Sequence, residues 1–140
     1  MSVACLDTTV LLDLQGRSGK AGQRNAAAAV TRLARSGESL ATTQFNVAEL
    51  WVGVERSKNP RRERSKVEGL LSELSILEFD EAVARVFGAV TAHLQKLGRP
   101  AGDMDVLIAS VAIANGHALV TRNARHFVDM PGLAVHDYGE

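Results

Sequence analysis

Four short apolar runs, separated by longer segments with helical spacing of apolar residues, constrain this chain to an α/β fold. The runs are predicted strands, and they cover residues 3–6, 40–42, 76–79 and 118–120. Strands that alternate with helices form a mainly parallel sheet that is covered on both faces. We therefore expect a three-layer α/β/α architecture in a single domain spanning residues 1–140.

The segments between these runs predict the helices and their boundaries. An alanine-rich helix covers residues 26–33, another begins at Thr43, and Pro60 opens the next. Asp80 is a good N-cap for a helix that runs to residue 97. In the same way, Asp103 is the expected N-cap of a helix from residue 104 to about residue 115.

The composition excludes several classes of protein. The chain has 140 residues with a formal net charge of +0, so the molecule as a whole gives no electrostatic sign of a nucleic-acid partner. Cys5 is the only cysteine, which excludes an internal disulfide and a cysteine-rich zinc site. We find neither a signal peptide nor an apolar stretch that would span a bilayer, and therefore expect no membrane association and a cytoplasmic location.

Carboxylates stand at positions that the predicted fold brings to one edge of the sheet. Asp7 ends the first strand, and ligands of open α/β sheets bind at the carboxyl ends of the strands. Helix starts meet strand ends at that edge of a parallel sheet, so acids distant in sequence can share one cleft there. The set consists of four acids and two polar neighbours: Asp7, Glu49, Asp103, Asp105, Thr121 and Asn123.

A cluster of carboxylates with few other ligand types is typical of a site for Mg²⁺ or Mn²⁺. Such an ion lowers the pKa of a bound water and orients a phosphate. Each acid also has an ordinary structural interpretation. Asp7 suits a turn after a strand, Glu49 a solvated helix edge, and Asp103 and Asp105 a helix start, where negative charge complements the helix dipole.

The densest basic segment follows the helix that carries Glu49. Three interpretations are open: contact with a phosphate backbone, a solvated helix surface, or docking of an acidic partner segment. Its cations are Arg56, Lys58, Arg61, Arg62, Arg64 and Lys66. The four histidines lack the spacing of a paired metal site, and we interpret His126 as a turn or edge residue.

Taken together, the motifs resemble those of PIN-domain nucleases, and the resemblance covers nearly the whole chain. The similar segments occur in the family's order. They are residues 6–12 (LDTTVLL), 46–54 (NVAELWVGV), 98–100 (GRP) with 105–109 (DVLIA), and 119–123 (LVTRN). Among these nucleases, the chain is most similar to the VapC ribonuclease toxins of type II toxin–antitoxin modules.

The resemblance implies a PIN fold and Mg²⁺- or Mn²⁺-dependent hydrolysis of RNA phosphodiester bonds to 5′-phosphate and 3′-hydroxyl products. It assigns Asp7, Glu49 and Asp105 to a catalytic acidic triad in which Asp7 and Asp105 are metal ligands. Asp103 is then a helix cap or an auxiliary acid, and Thr121 steadies the acids through a hydrogen bond. Asn123 stands where many relatives have a fourth aspartate, so it adds no charge for a second metal ion.

A toxin of this type implies a homodimer and a cognate VapB-type antitoxin with a DNA-binding N-terminus. The antitoxin's C-terminal tail would then cover the acidic cleft or offer an arginine to it. Trp51 and Val54 form part of that interface or belong to the core. Two other functions stay open: a housekeeping RNA-processing nuclease with no antitoxin, and an inactive PIN scaffold that binds RNA or protein.

Overall fold

The strands and helices alternate along the chain in the computed structural model, which describes residues 2–139. The strands are β1 (Val3–Leu6), β2 (Ser39–Thr43), β3 (Ser75–Leu77), β4 (Ala118–Thr121) and β5 (Val135–Asp137). The helices are α1 (Thr8–Leu14), α2 (Lys20–Arg35), α3 (Gln44–Arg56), α4 (Pro60–Leu71), α5 (Glu81–Lys96) and α6 (Asp103–Asn115), and a 3₁₀ turn covers Ala124–Phe127. No helix within residues 2–139 is long and apolar enough to cross a bilayer.

All five strands pair in parallel, in the order β3-β2-β1-β4-β5. The predicted α/β fold with a mainly parallel sheet is therefore confirmed. The chain adds strands on one side of β1 up to β3 and then returns to the other side with β4 and β5. The strand order thus reverses between β1 and β4, and in open α/β sheets the crevice at such a switch point is where ligands bind.

Helices cover both faces of the sheet, because successive strand side chains point to opposite sides. Ala4 and Leu6 of β1 pack in an apolar cluster with residues of α1 to α4. Cys5 and Leu119 point the other way, into a cluster with α5 and α6. Cys5 is fully buried, and burial raises the pKa of its thiol to about 12, so it acts as a small apolar side chain.

Two strand predictions differ from the structure. The third strand ends at Leu77 rather than at Phe79, because the Phe79 N–H donates to Gln44 Oε1 (3.2 Å) instead of continuing the ladder. The edge strand β5 was not predicted, since its three residues are exposed and lack an apolar pattern.

The start of α6 also corrects a prediction. Asp103 is not the N-cap: it is the first helical residue, and Gly102 occupies the cap position without a side-chain hydrogen bond. Gly102 has the extended backbone of an N-cap, so the helix begins one residue earlier than predicted. Asp103 and Asp105 then both lie in the first turn, where their charge suits the helix dipole.

Candidate active site at the strand switch point

Asp7 lies at the reversal of strand order, directly after β1. Its backbone N–H donates to Val120 O of β4 (2.9 Å), which fixes the chain at the point where the two strands part. The side chain is 6% exposed, and both carboxylate oxygens accept hydrogen bonds. Asn46 Nδ2 donates to Oδ1 (3.1 Å), and Thr121 Oγ1 donates to Oδ2 (2.8 Å). Asp7 is therefore held from both sides by residues of β4 and α3.

Asn46 connects the start of α3 to the acid. Its Oδ1 accepts from Thr43 Oγ1 (2.8 Å) and from the Thr43 N–H (3.3 Å), which closes a capping box with Thr43 as N-cap. Its Nδ2 donates to Asp7 and also to Thr8 Oγ1 (2.9 Å). All the hydrogen-bonding capacity of this fully buried amide is used, so its orientation is fixed.

The same network reaches Glu49, one helical turn further along α3. Thr8 Oγ1 accepts from Asn46 and donates to Glu49 Oε1 at 2.6 Å. Burial raises the pKa of Glu49, the hydrogen bond from Thr8 lowers it, and the charges of Asp7 and Asp105 raise it further. Glu49 therefore faces the other two acids and is not a solvated helix-edge residue.

Asp105 completes the group from the first turn of α6. The pKa of Asp7 is raised, mainly by burial. The charge of Asp105 raises it further, whereas the hydrogen bonds that Asp7 accepts lower it. Asp105 is one-third exposed, and its Oδ2 lies 3.4 Å from His126 Nδ1 on the 3₁₀ turn. His126, interpreted from sequence as a turn or edge residue, therefore borders the acid group.

The donor set fits a hard divalent cation. The charge of Asp105 raises the pKa of both Asp7 and Glu49, the charge of Asp7 raises that of Glu49, and Asp105 and Glu49 are partly exposed. Within residues 2–139, no three histidine, cysteine or acidic side chains converge closely enough to ligate one ion directly. Hard divalent cations prefer oxygen ligands, and the smaller of them keep several of their waters when bound through one or two carboxylates.

Asn123 and Asp103, which the sequence also placed at this site, differ in how they connect to the acids. Asn123 follows β4, and its backbone N–H donates to Thr121 Oγ1 (3.0 Å), so it supports the hydroxyl that orients Asp7. Asp103 is exposed, and its side chain makes no hydrogen bond within the described part of the chain. Asn123 is therefore joined to the network, and Asp103 is not.

The basic segment lies at the far end of α3 and the start of α4, with all six cations exposed. Ten residues of helix separate Asn46 from Arg56, which is about 15 Å along the axis. Lys66 lies 3.6 Å from Glu63, which also pairs with Arg17. The other five cations of this segment have no ion pair within residues 2–139, and they form an open basic surface away from the acids.

A second buried polar cluster, which the sequence did not predict, adjoins the site. Asp13 of α1 is fully buried; its Oδ2 accepts from the Tyr138 hydroxyl (2.7 Å) and lies 3.0 Å from Arg122 Nε. Burial and the bond to Asp13 raise the pKa of Tyr138. Arg122 follows Thr121, so the cluster ties the end of β4 to α1 and to the C-terminal segment.

Replacing Asn46 with alanine is expected to lower the activity of the folded protein in addition to its stability. The reason is that the amide orients Asp7 directly and Glu49 through Thr8. Loss of a residue that orients metal ligands costs roughly 10–100-fold in affinity or activity. Thr43→Ala is the matched control, since it removes the helix cap at a cost of about 1 kcal/mol but leaves an amide beside Asp7. Equal effects of the two variants on the activity of the site would show that Asn46 acts only through the cap.

Comparison with known proteins identifies the family. A family model described as "PIN domain" matches residues 4–133. The fold and the acids at the strand switch point agree with this match, and the chain belongs to the PIN domain family.

Within that family, the chain is similar to VapC ribonucleases. It is 35% identical over 96 residues to a tRNA(fMet)-specific endonuclease VapC of Shigella flexneri, which covers 69% of this chain and 73% of the relative. It is 30% identical over 128 residues to ribonuclease VapC19 of Mycobacterium tuberculosis, covering 91% and 94%. VapBC2 of Rickettsia felis, solved bound to a promoter DNA fragment, superposes with a TM-score of 0.85 at 29% identity, covering 96% of this chain and 98% of the other.

Proposed function

We propose that this chain is a metal-dependent endoribonuclease and the toxin of a type II toxin–antitoxin module. The observation that carries the proposal is the network through which Asn46, Thr8 and Thr121 fix Asp7 and Glu49 beside Asp105. Similarity to VapC ribonucleases supports the reaction class. We further propose that residues 1–140 act as one PIN domain in the cytoplasm, where RNA substrates are found.

The residues of the network have separate roles in this proposal. Asp7 and Asp105 hold the metal, directly or through its waters, and Asn46 and Thr121 keep the Asp7 oxygens turned toward it. Glu49 is a further ligand or accepts a hydrogen bond from the attacking water. The raised pKa of Glu49 suits contact with a water that loses its proton during attack on phosphorus.

VapC nucleases of the PIN family generally depend on a divalent metal ion. We propose Mg²⁺, with Mn²⁺ as a substitute, because the donors at this site are all oxygen atoms. When bound, the ion supplies a water of lowered pKa and offsets negative charge on the phosphate oxygens. Without such an ion, the three acids would repel the RNA backbone.

We also propose that the chain forms a homodimer and binds a VapB-type antitoxin. The similar structure from Rickettsia felis is a VapBC complex, which supports a partner of that type. Trp51 is half-buried and packs against the core, and Val54 is 1% exposed, so the core interpretation of these two residues is the better one. An antitoxin interface on α3 would instead use exposed side chains such as Val52.

The basic surface is proposed to bind the RNA backbone on one side of the cleavage point. Arg56, Lys58, Arg61, Arg62 and Arg64 are exposed, and they lack ion pairs within residues 2–139. Their contribution would be electrostatic and independent of sequence, and it would weaken with salt. Alanine variants should therefore reduce cleavage of all RNA substrates to a similar degree.

Expression in a host without the adjacent gene tests the proposed function. We expect growth arrest that co-expression of the adjacent gene reverses, and cleavage of purified RNA with Mg²⁺ that EDTA stops. Normal growth together with intact RNA would contradict the toxin and the nuclease. RNA cleavage without growth arrest would contradict the toxin alone and would favour a housekeeping nuclease.

Restoring an acid at position 123 is expected to strengthen metal binding. Asn123→Asp adds a negative charge next to Thr121, which already contacts Asp7. We expect the variant to bind Mn²⁺ more tightly and to show a larger Mn²⁺-induced rise in Tm than the unmodified protein. Asp137→Asn is a control on the exposed edge strand β5. A Mn²⁺-induced rise in the Tm of Asn123→Asp no larger than that of the unmodified protein would argue against a metal near Asn123.

A further inference from the structure

A cavity of about 370 Å³ opens beside Asp105, outside the network that holds Asp7. Its walls are the loop before α6 and the 3₁₀ turn that follows β4 at the carboxyl edge of the sheet. Asp105 itself lines the cavity, next to His126. The cavity therefore shares a wall with the proposed cleavage site.

The lining combines an apolar floor with cations at the rim. Leu94 and Met130 are 3% and 5% exposed and form part of the lining, as does Ala101. Arg99 and Arg125 are exposed at the rim. An apolar surface bordered by guanidinium groups suits a nucleobase that carries a phosphate, because arginine binds phosphates and stacks on bases.

The two arginines differ in availability. Arg99 Nη1 lies 3.3 Å from both carboxylate oxygens of Asp129, so its charge is already paired across the cavity rim. Arg125 has no hydrogen bond or ion pair from its side chain within residues 2–139. Arg125 is therefore the cation that is available to a ligand.

We propose that this cavity binds the base of one nucleotide beside the scissile phosphate, with Arg125 on that nucleotide's own phosphate. The cavity lies at the lower end of the roughly 300–1,000 Å³ range of small-ligand sites, which suits one nucleotide rather than a duplex. The proposal rests on the proposed nuclease function, and it makes the cavity the determinant of base preference at one position of the RNA. A bound base must leave its stack to enter the cavity.

Titration with the four ribonucleoside 5′-monophosphates in EDTA tests the cavity without any cleavage. We expect amide shifts of the ¹⁵N-labelled protein in residues 99–102 and 125–130, with one base bound more tightly than the others. Arg125→Ala should weaken binding roughly tenfold, as expected for the loss of one charge-assisted hydrogen bond. Arg125 is exposed, so its removal should not affect folding, and Arg35→Ala is the control at the opposite edge of the sheet. Absence of shifts at the cavity, or equal binding by both variants, would overturn the proposal.

Cleavage of a randomised single-stranded RNA pool tests the base preference. The unmodified protein and Arg35→Ala should share a preference at one position beside the cut. Arg125→Ala should keep that preference but cleave every RNA more slowly, because its phosphate contact is the same for all bases. Cleavage by the unmodified protein with no base preference at any position beside the cut would overturn the subsite and leave the nuclease function intact. Mononucleotide binding at the cavity without cleavage of any RNA would refute the nuclease function and support the nucleotide site.

Discussion

Asp7→Asn is expected to reduce RNA cleavage by more than about 100-fold, since loss of a residue that only supports a metal ligand costs roughly 10–100-fold. The amide keeps the shape of Asp7, and its two ends still find partners. Its Oδ1 accepts from Asn46, and its Nδ2 donates to the Thr121 hydroxyl, which rotates. Circular dichroism should therefore be unchanged. Undiminished cleavage by a rigorously purified variant would exclude Asp7 from the reaction.

The same substitution should raise the Tm of the metal-free protein at neutral pH by a few degrees. Burial raises the pKa of Asp7, so the folded protein disfavours the charged carboxylate relative to the unfolded chain. This destabilisation of the folded protein is absent below the ordinary aspartate pKa of about 3.9. It develops as the pH rises through the pKa of Asp7 in the folded protein and is complete above that pKa. The Tm advantage of Asp7→Asn should thus disappear in acid. A lower Tm than the unmodified protein at pH 7 would contradict this explanation.

Asp13→Ala is expected to cause the largest loss of stability, about 2–3 kcal/mol of the free energy of unfolding. The substitution leaves the buried Tyr138 hydroxyl without its acceptor and Arg122 without its carboxylate. The loss is smaller than for a fully buried ion pair, because Arg122 is 42% exposed and can reach water. Urea unfolding at equilibrium measures the difference.

Tyr138→Phe separates the hydroxyl from the rest of this cluster. It keeps the ring that packs against Val120 and the core, and it removes one buried hydrogen bond, at a cost of about 1 kcal/mol. We therefore expect Tyr138→Phe to be milder than Asp13→Ala. Similar stability of Asp13→Ala and the unmodified protein, within about 0.5 kcal/mol, would show that the cluster does not hold β4 against α1.

The sequence was most informative where local pattern and topology coincide. Asp7 follows a short apolar run, and a parallel sheet places the end of such a run at the ligand-binding edge, so its position was predictable without coordinates. The start of α3 was predicted at Thr43 from local pattern alone, and the structure has Thr43 as the N-cap directly before the first helical residue. The α6 start was misassigned by one residue because Gly102 and Asp103 both suit an N-cap.

Thr121 was among the predicted residues, but Asn46 and the pair of Asp13 and Tyr138 could not be found in this way. Asn46 belongs to a helix with an apolar stripe, and this pattern does not indicate a buried amide. Nor does it indicate that the amide binds Thr8, which lies 38 residues earlier in the sequence. Asp13 and Tyr138 lie 125 residues apart, and their contact depends on β5, which carries no strand pattern. Such pairs are set by tertiary packing. The one sequence signal available was the spacing of Thr43 and Asn46, which is that of a capping box.

Calorimetric titration with Mn²⁺ tests the proposed metal site most directly, because it measures metal binding by the acids without an RNA substrate. We expect the unmodified protein to bind Mn²⁺, Asp7→Asn and Asp105→Asn to lose that binding, and Glu55→Gln, an exposed acid elsewhere on α3, to retain it. Binding of Mn²⁺ by Asp7→Asn with the affinity of the unmodified protein would contradict a metal-dependent nuclease site at the end of β1.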